Sequence, residues 1–186
     1  MHVIVIIDCQ FDFIDGVLGT HEAKAIVPNI VNKLNNYSDK KNTVVLYTKD
    51  THGNDYLDTL EGTILPIPHC IENTPGWSIN KDIERAVKSN RFLTYSSDKI
   101  INSRVYKNTF GSDDLREFLE VYKDRIESVE FVGLTTNICL ISNVLLARMV
   151  LPNTEIFVDK NCCAGTSSEL HEAALEVMKS CQINII

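Results

Sequence analysis

Short, wholly apolar runs recur along the chain, and each stops at a residue with chemistry or at a turn. Val3–Ile7 is β-branched throughout and meets Asp8, and Thr43–Thr48 leads to Asp50. Val129–Val132 stops at Gly133, Thr154–Val158 stops at Asp159, and Ile183–Ile186 repeats the theme. Runs without polar alternation predict strands covered on both faces, the habit of a parallel sheet. Arg91–Tyr95 and Ile100–Val105 read as two further strands.

Helical spacing fills the intervals. Ala23–Asn36 places Ile26, Val27, Ile30, Val31 and Leu34 on one stripe, and Asp113–Lys123 does the same with Leu115, Phe118, Leu119 and Tyr122. Ile138–Val150 is apolar nearly all round, which predicts a deeply buried helix. Ser167–Ser180 opens on a serine-rich cap and carries Leu170, Ala174, Leu175 and Met178. Alternating strands and helices predict an α/β fold: three α/β/α layers around a Rossmann-like parallel sheet of about six strands. The length, 186 residues, suits a single domain spanning 1–186. Gly53–Trp77 is the long irregular stretch, and long loops in compact domains are commonly functional.

Composition narrows the function classes. The formal net charge of −7 disfavours phosphate backbones and anionic lipid, so neither nucleic acid nor membrane is an expected partner. Six cysteines without disulfide-like spacing or a Cys-x-x-Cys pair predict free thiols and a cytoplasmic setting. The first residues lack a basic leader and run into Asp8, unlike a signal peptide or a membrane span.

In parallel sheets ligands bind beyond the carboxyl ends of the strands, where Asp8, Asp50 and the Gly133 loop should converge. Cys139 follows that loop in Gly133-Leu134-Thr135-Thr136-Asn137-Ile138-Cys139, with Asn137 as a helix cap. A cysteine in a first helical turn gains thiolate character from the macrodipole, and nearby amides could hold an oxyanion. The competing reading is a buried structural thiol. Asp8 could exchange a proton with that thiol, or simply cap the turn after its strand. Lys107 could hold a neighbouring carboxylate ionised, or be an ordinary surface lysine.

A second group lies in and before the irregular stretch. Asp50 and His52 share one side of an extended chain, and Glu61 and His69 follow. Two imidazoles with carboxylates suit Zn²⁺, Fe²⁺ or Mn²⁺, against the alternative of separate loop histidines. His2, His21 and His171 have no such company and read as surface residues.

Taken in order along the chain, these motifs resemble the isochorismatase-like cysteine hydrolases, and within them the nicotinamidases and related amidases. Ile6-Ile7-Asp8-Cys9-Gln10-Phe11-Asp12-Phe13 is similar to the family's opening motif, Lys107 with Phe110 to its lysine motif, and Gly133–Cys139 to its nucleophile loop. The resemblance implies Asp8, Lys107 and Cys139 as catalytic residues. It implies a cis peptide between Leu134 and Thr135, and an oxyanion hole from the Thr135 and Cys139 amides. It also implies a divalent metal, zinc first, on Asp50, His52 and His69 with Glu61 as a further ligand.

The sequence departs from the pattern in places. Pro66 stands where nicotinamidases often carry a ring-stacking Trp, Asn73-Thr74 replaces a usual Gly-Thr, and Asn137 replaces an Asp. Phe13 and Trp77 are the aromatic residues expected to wall the substrate instead. The expected activity is hydrolysis of a small amide C–N bond through a thioester, with nicotinamide as the leading substrate and a homo-oligomer as the expected assembly. The alternatives are a ureido, carbamoyl or vinyl-ether hydrolase of the same superfamily, a zinc-water hydrolase, and a binding module that keeps the fold.

Overall fold

The computed structural model describes residues 1–97 and 100–186. Its first half comprises β1 (His2–Ile7), α1 (Phe11–Ile14), α2 (His21–Asn36), β2 (Thr43–Asp50), α3 (Leu60–Ile64) and α4 (Lys81–Asn90). Its second half comprises β3 (Ile100–Ile101), β4 (Arg104–Lys107), α5 (Asp113–Tyr122), β5 (Ser128–Leu134), α6 (Ile141–Val150), β6 (Glu155–Ala164), α7 (Ser168–Ser180) and β7 (Asn184–Ile185).

The strands form one sheet in the order β3-β4-β2-β1-β5-β6-β7. Every pairing is parallel except β3 with β4, so six strands run parallel and β3 is an antiparallel edge. The apolar runs explain the layering. Val3, Val5 and Ile7 of β1 pack with Leu115, Leu119, Val144, Leu175 and Met178 of α5, α6 and α7. Ile4 and Ile6 point the other way, toward Ile26, Ile30 and Leu34 of α2 and Ile83 and Val87 of α4. A strand whose successive side chains both meet helices must be apolar at every position, which is the pattern of Val3–Ile7.

Several expectations shift. The anticipated strand at Ile100–Val105 is a hairpin, because Asn102 and Ser103 both adopt left-handed backbone and turn the chain between β3 and β4. In Arg91–Tyr95, Leu93 alone bridges to β2, at Val44. The strand expected to stop at Asp159 continues to Ala164, which puts Cys162 and Cys163 in β6. Helix α6 is an outer-layer helix with one face on the sheet, and Met149 is 68% exposed instead of buried. Helix α4 lies just past the irregular stretch and was not anticipated there. Its signals are an Asn80 cap accepting from Asp82 and Ile83 and a core stripe of Ile83, Ala86 and Val87. Among the described residues no helix is long and apolar enough to cross a membrane.

The chain enters the sheet at β1, passes to β2 on one side and later returns to β5 on the other. The carboxyl ends of β1, β2 and β5 therefore flank a topological switch point, the usual place for a ligand crevice.

Candidate active site

Four adjacent strands, in the order β4-β2-β1-β5, deliver Lys107, Asp50, Asp8 and the turn bearing Cys139 to one edge of the sheet. Lys107 is the hub. Its Nζ lies 2.7 Å from Asp8 Oδ2, 3.4 Å from Asp50 Oδ1 and 3.5 Å from Cys139 Sγ. All four residues are buried, so the surface reading of Lys107 falls away.

Local geometry holds Asp8 in place. Just past β1 its backbone turns left-handed. Its amide donates to Thr48 Oγ1, and the same hydroxyl donates to Asp8 Oδ1 at 2.6 Å. The cradle is completed by Gly133, whose positive φ lets β5 approach β1 so closely that a Cβ there would overlap the Ile7 carbonyl.

Cys139 sits in a π-turn over Thr136–Leu140 that leads into α6. The Leu140 amide reaches back to the Thr135 carbonyl at 3.1 Å, and the Leu134–Thr135 peptide is cis. Asn137 does not cap this turn: Thr135 holds the cap position, and the Asn137 amide bonds the backbone and hydroxyl of Thr166. Asn143 anchors the turn, donating to the Cys139 carbonyl at 2.7 Å and to the Phe110 carbonyl at 3.0 Å. His171 is not a lone surface residue, since its Nδ1 lies 2.8 Å from Thr136 Oγ1.

The electrostatics follow from burial and charge. Burial disfavours the Lys107 ammonium, but Asp8, Cys139 and Asp50 outweigh it and hold its pKa above the ordinary value. Burial raises the Asp8 pKa despite the lysine beside it. Burial and the Asp8 charge together push the Cys139 thiol up, against the pull of Lys107. The surroundings thus favour the protonated Cys139 thiol, and beside it stands a carboxyl group of raised basicity.

The second cluster adjoins the first through Asp50. Ligand atoms of Asp50, His52, Glu61 and His69 lie within 4.8 Å of one another. His52 Nε2 is 3.0 Å and His69 Nε2 3.5 Å from Asp50 Oδ2, with Glu61 Oε1 at 3.9 and 3.7 Å from the same two nitrogens. His69 Nδ1 faces the Ile67 carbonyl at 2.9 Å. A proton held there leaves the Nε2 lone pair aimed into the cluster, as a metal ligand requires. Two imidazoles and two carboxylates converging in this way fit a divalent transition metal.

Residues with no signal of their own build the frame. The Gln10 carboxamide bonds both backbone groups of Asp50. Asp12 accepts from the Cys70 amide at 2.8 Å. Tyr56 packs edge-on against both imidazoles, with ring centroids 4.8 and 5.0 Å away. Gly62 lets α3 close onto the Tyr56 turn, which carries Glu61 to the cluster.

Both clusters open on one cavity of about 670 Å³. Cys139, Thr135, Asp50, His69 and Glu61 contribute to its lining, and Phe13 is part of the wall. Trp77 is not among the lining residues. Its ring stacks on Tyr106 at 5.6 Å, lies under the Lys49 ammonium and donates from Nε1 to Thr51. The aromatic wall expected from Phe13 and Trp77 thus retains only Phe13.

Comparison with known proteins agrees with this architecture. The isochorismatase domain family matches residues 2–186. No curated protein matches the sequence. Among solved structures, a nicotinamidase/pyrazinamidase from Bacillus subtilis is similar at a TM-score of 0.79 and 23% identity, covering 99% of this chain and 98% of that one. A pyrazinamidase of Pyrococcus horikoshii solved in complex with zinc gives 0.72 and 22% over 100% and 98%. N-carbamoylsarcosine amidase from Thermoplasma acidophilum gives 0.70 and 18% over 99% and 94%. At these identities the likeness is one of fold.

Proposed function

The chain belongs to the isochorismatase family of hydrolases, and from that premise we propose that it cleaves the C–N bond of a small amide through a cysteine thioester. The observation that carries this reading is the position of one ammonium, Lys107 Nζ, between Asp8 and the Cys139 that lines the cavity. A base, a nucleophile and the charge that organises them are within reach of each other.

Asp8 takes the Cys139 proton, and Lys107 stabilises the thiolate formed. The sulfur attacks the amide carbonyl, and the oxyanion rests on the Thr135 and Cys139 amides. Collapse breaks the C–N bond, and Asp8 returns its proton to the departing amine, which leaves as ammonia. Water, deprotonated by Asp8, then cleaves the thioester to release the acid and restore the thiol. Burial raises the Asp8 pKa, which makes the carboxylate a stronger base toward the thiol.

Asp50, His52, His69 and Glu61 would hold a divalent metal, zinc first. When bound, it would supply a Lewis-acid docking point for a heteroatom of the substrate. Nicotinamide is the first substrate to try, because its ring nitrogen offers such a heteroatom. The absence of Trp77 from the cavity lining, with Pro66 in the stacking position, favours a second reading: a ureido or carbamoyl substrate handled by the same thiol.

The test is ammonia release by purified protein from nicotinamide and from N-carbamoyl compounds, with and without a chelator. Chelator-sensitive release from nicotinamide supports the first reading. Release from carbamoyl compounds alone supports the second, and no release from either contradicts both.

A further inference from the structure

The cavity presents mostly apolar surface. Asp50, Glu61, His69 and Cys139 bring the charges and the thiol to this lining, and Asn108 and a few threonines add further polar groups. Much of the remaining lining is Leu18, Leu60, Ile64, Leu65, Phe110 and Ile138. Three of these wall residues are also strongly exposed: Leu60 at 79%, Ile64 at 76% and Phe110 at 49%. Large aliphatic side chains held this open to water at the mouth of a catalytic crevice lose free energy that an apolar occupant would recover.

Helix α3 explains why they stand there. Leu60 and Ile64 are four residues apart and so share one helical face. Glu61, next to Leu60 on the same helix, joins the candidate metal cluster. One short helix thus contributes a candidate metal ligand and two aliphatic groups to the same cavity. A volume of about 670 Å³ falls within the range that holds a drug-sized ligand, well beyond one pyridine ring. Phe13, which also lines the cavity, lies edge-on to His69.

We propose that the substrate is a primary amide carrying an extended apolar group, with the carboxamide on Cys139 and the apolar group along Leu60, Ile64 and Phe110. This rests on the amidase reading above and sharpens its substrate class from a compact ring to an apolar amide.

The test reads binding and turnover separately. Cys139 of the purified protein is alkylated with iodoacetamide in the presence of acetamide, butanamide, hexanamide, octanamide or nicotinamide. The half-protecting concentration is measured for each, and ammonia release is followed with the same series. Each added methylene is expected to improve protection about two- to fourfold, so octanamide protects at about fifteenfold lower concentration than butanamide or better. Leu60→Asp and Ile64→Asp, at exposed positions, should each shrink the octanamide-to-butanamide ratio about fivefold or more, with circular dichroism confirming the fold. Protection that does not change with chain length, or a ratio unmoved by both variants, overturns the proposal. Flat protection together with a dimer in sedimentation would also overturn it, assigning the apolar rim to a subunit contact. Length-dependent protection without ammonia release supports the apolar preference and refutes the amidase reading. Ammonia release independent of length refutes the preference alone.

Discussion

The side chain of Gln10 grips the backbone of Asp50 from both sides: Nε2 donates to the Asp50 carbonyl and Oε1 accepts from the Asp50 amide, each at 2.8 Å. Asp50 in turn touches Lys107 with one carboxylate oxygen and His52 with the other. The Asp8–Lys107–Cys139 cluster and the His52–Glu61–His69 cluster therefore share one residue, Asp50, and Gln10 holds it.

Replacing this clamp should disturb both. Gln10→Leu leaves a buried N–H and C=O of Asp50 without the side chain that satisfies them, at a cost of about 2–4 kcal/mol in denaturant unfolding. Loosening Asp50 should also weaken zinc binding about 10- to 100-fold in a competition titration. Unchanged stability and affinity would mean that Asp50 is held by other contacts.

The two clusters should separate under milder change. His52→Ala removes one candidate ligand without touching Lys107 or Cys139. Metal content, measured by elemental analysis, should fall while alkylation of Cys139 persists. Asp50→Ala should lower metal content and also change the rate of Cys139 alkylation, because Lys107 loses one of its two carboxylate partners.

In the proposed mechanism Asp8 sets the acid side of the pH profile. Burial raises its pKa above the ordinary carboxylate value near 4. Its basic form is lost as pH falls through that raised value, so kcat/KM should decline on acidification at a pH above the usual carboxylate range. Asp8→Asn should abolish this limb together with nearly all turnover, about 10³-fold or more. An acid limb at or below pH 4 would contradict the burial argument.

How far these parts could be read from the sequence depends on range. Strand ends at Asp8 and Asp50 and the turn before Cys139 show in local pattern, because an apolar run and its terminator are neighbours in the chain. Gln10, Thr48, Tyr56 and Asn143 do not, since their work is done against partners brought in by folding: Gln10 meets Asp50 forty residues on. Trp77 was misplaced for the same reason, its direction being fixed by Tyr106 and Lys49 rather than by its neighbours in sequence. Helix α4 did carry a local signature in Asn80 and its Ile83, Ala86 and Val87 stripe, but it directly follows a proline-bearing irregular stretch. The β3–β4 hairpin hinges on left-handed Asn102 and Ser103, a conformation that serine seldom signals.

Gly133 offers a test of the frame itself. At φ +117° and against the Ile7 carbonyl, an alanine would be both strained and overlapped. Gly133→Ala should cost about 2 kcal/mol or more in unfolding free energy. Because β1 and β5 carry Asp8 and the Cys139 turn, activity should fall further than stability accounts for. A variant as stable and as active as the parent would show that the two strands can part without consequence.

The most direct measurement is to quench a reaction with a turned-over amide and examine intact protein by mass spectrometry, alongside Cys139→Ala. The account predicts a transient adduct with the mass of the acyl group on Cys139, and a loss of about 10³-fold or more in ammonia release by Cys139→Ala. Substantial ammonia release by Cys139→Ala, with no adduct on the parent protein, would contradict it.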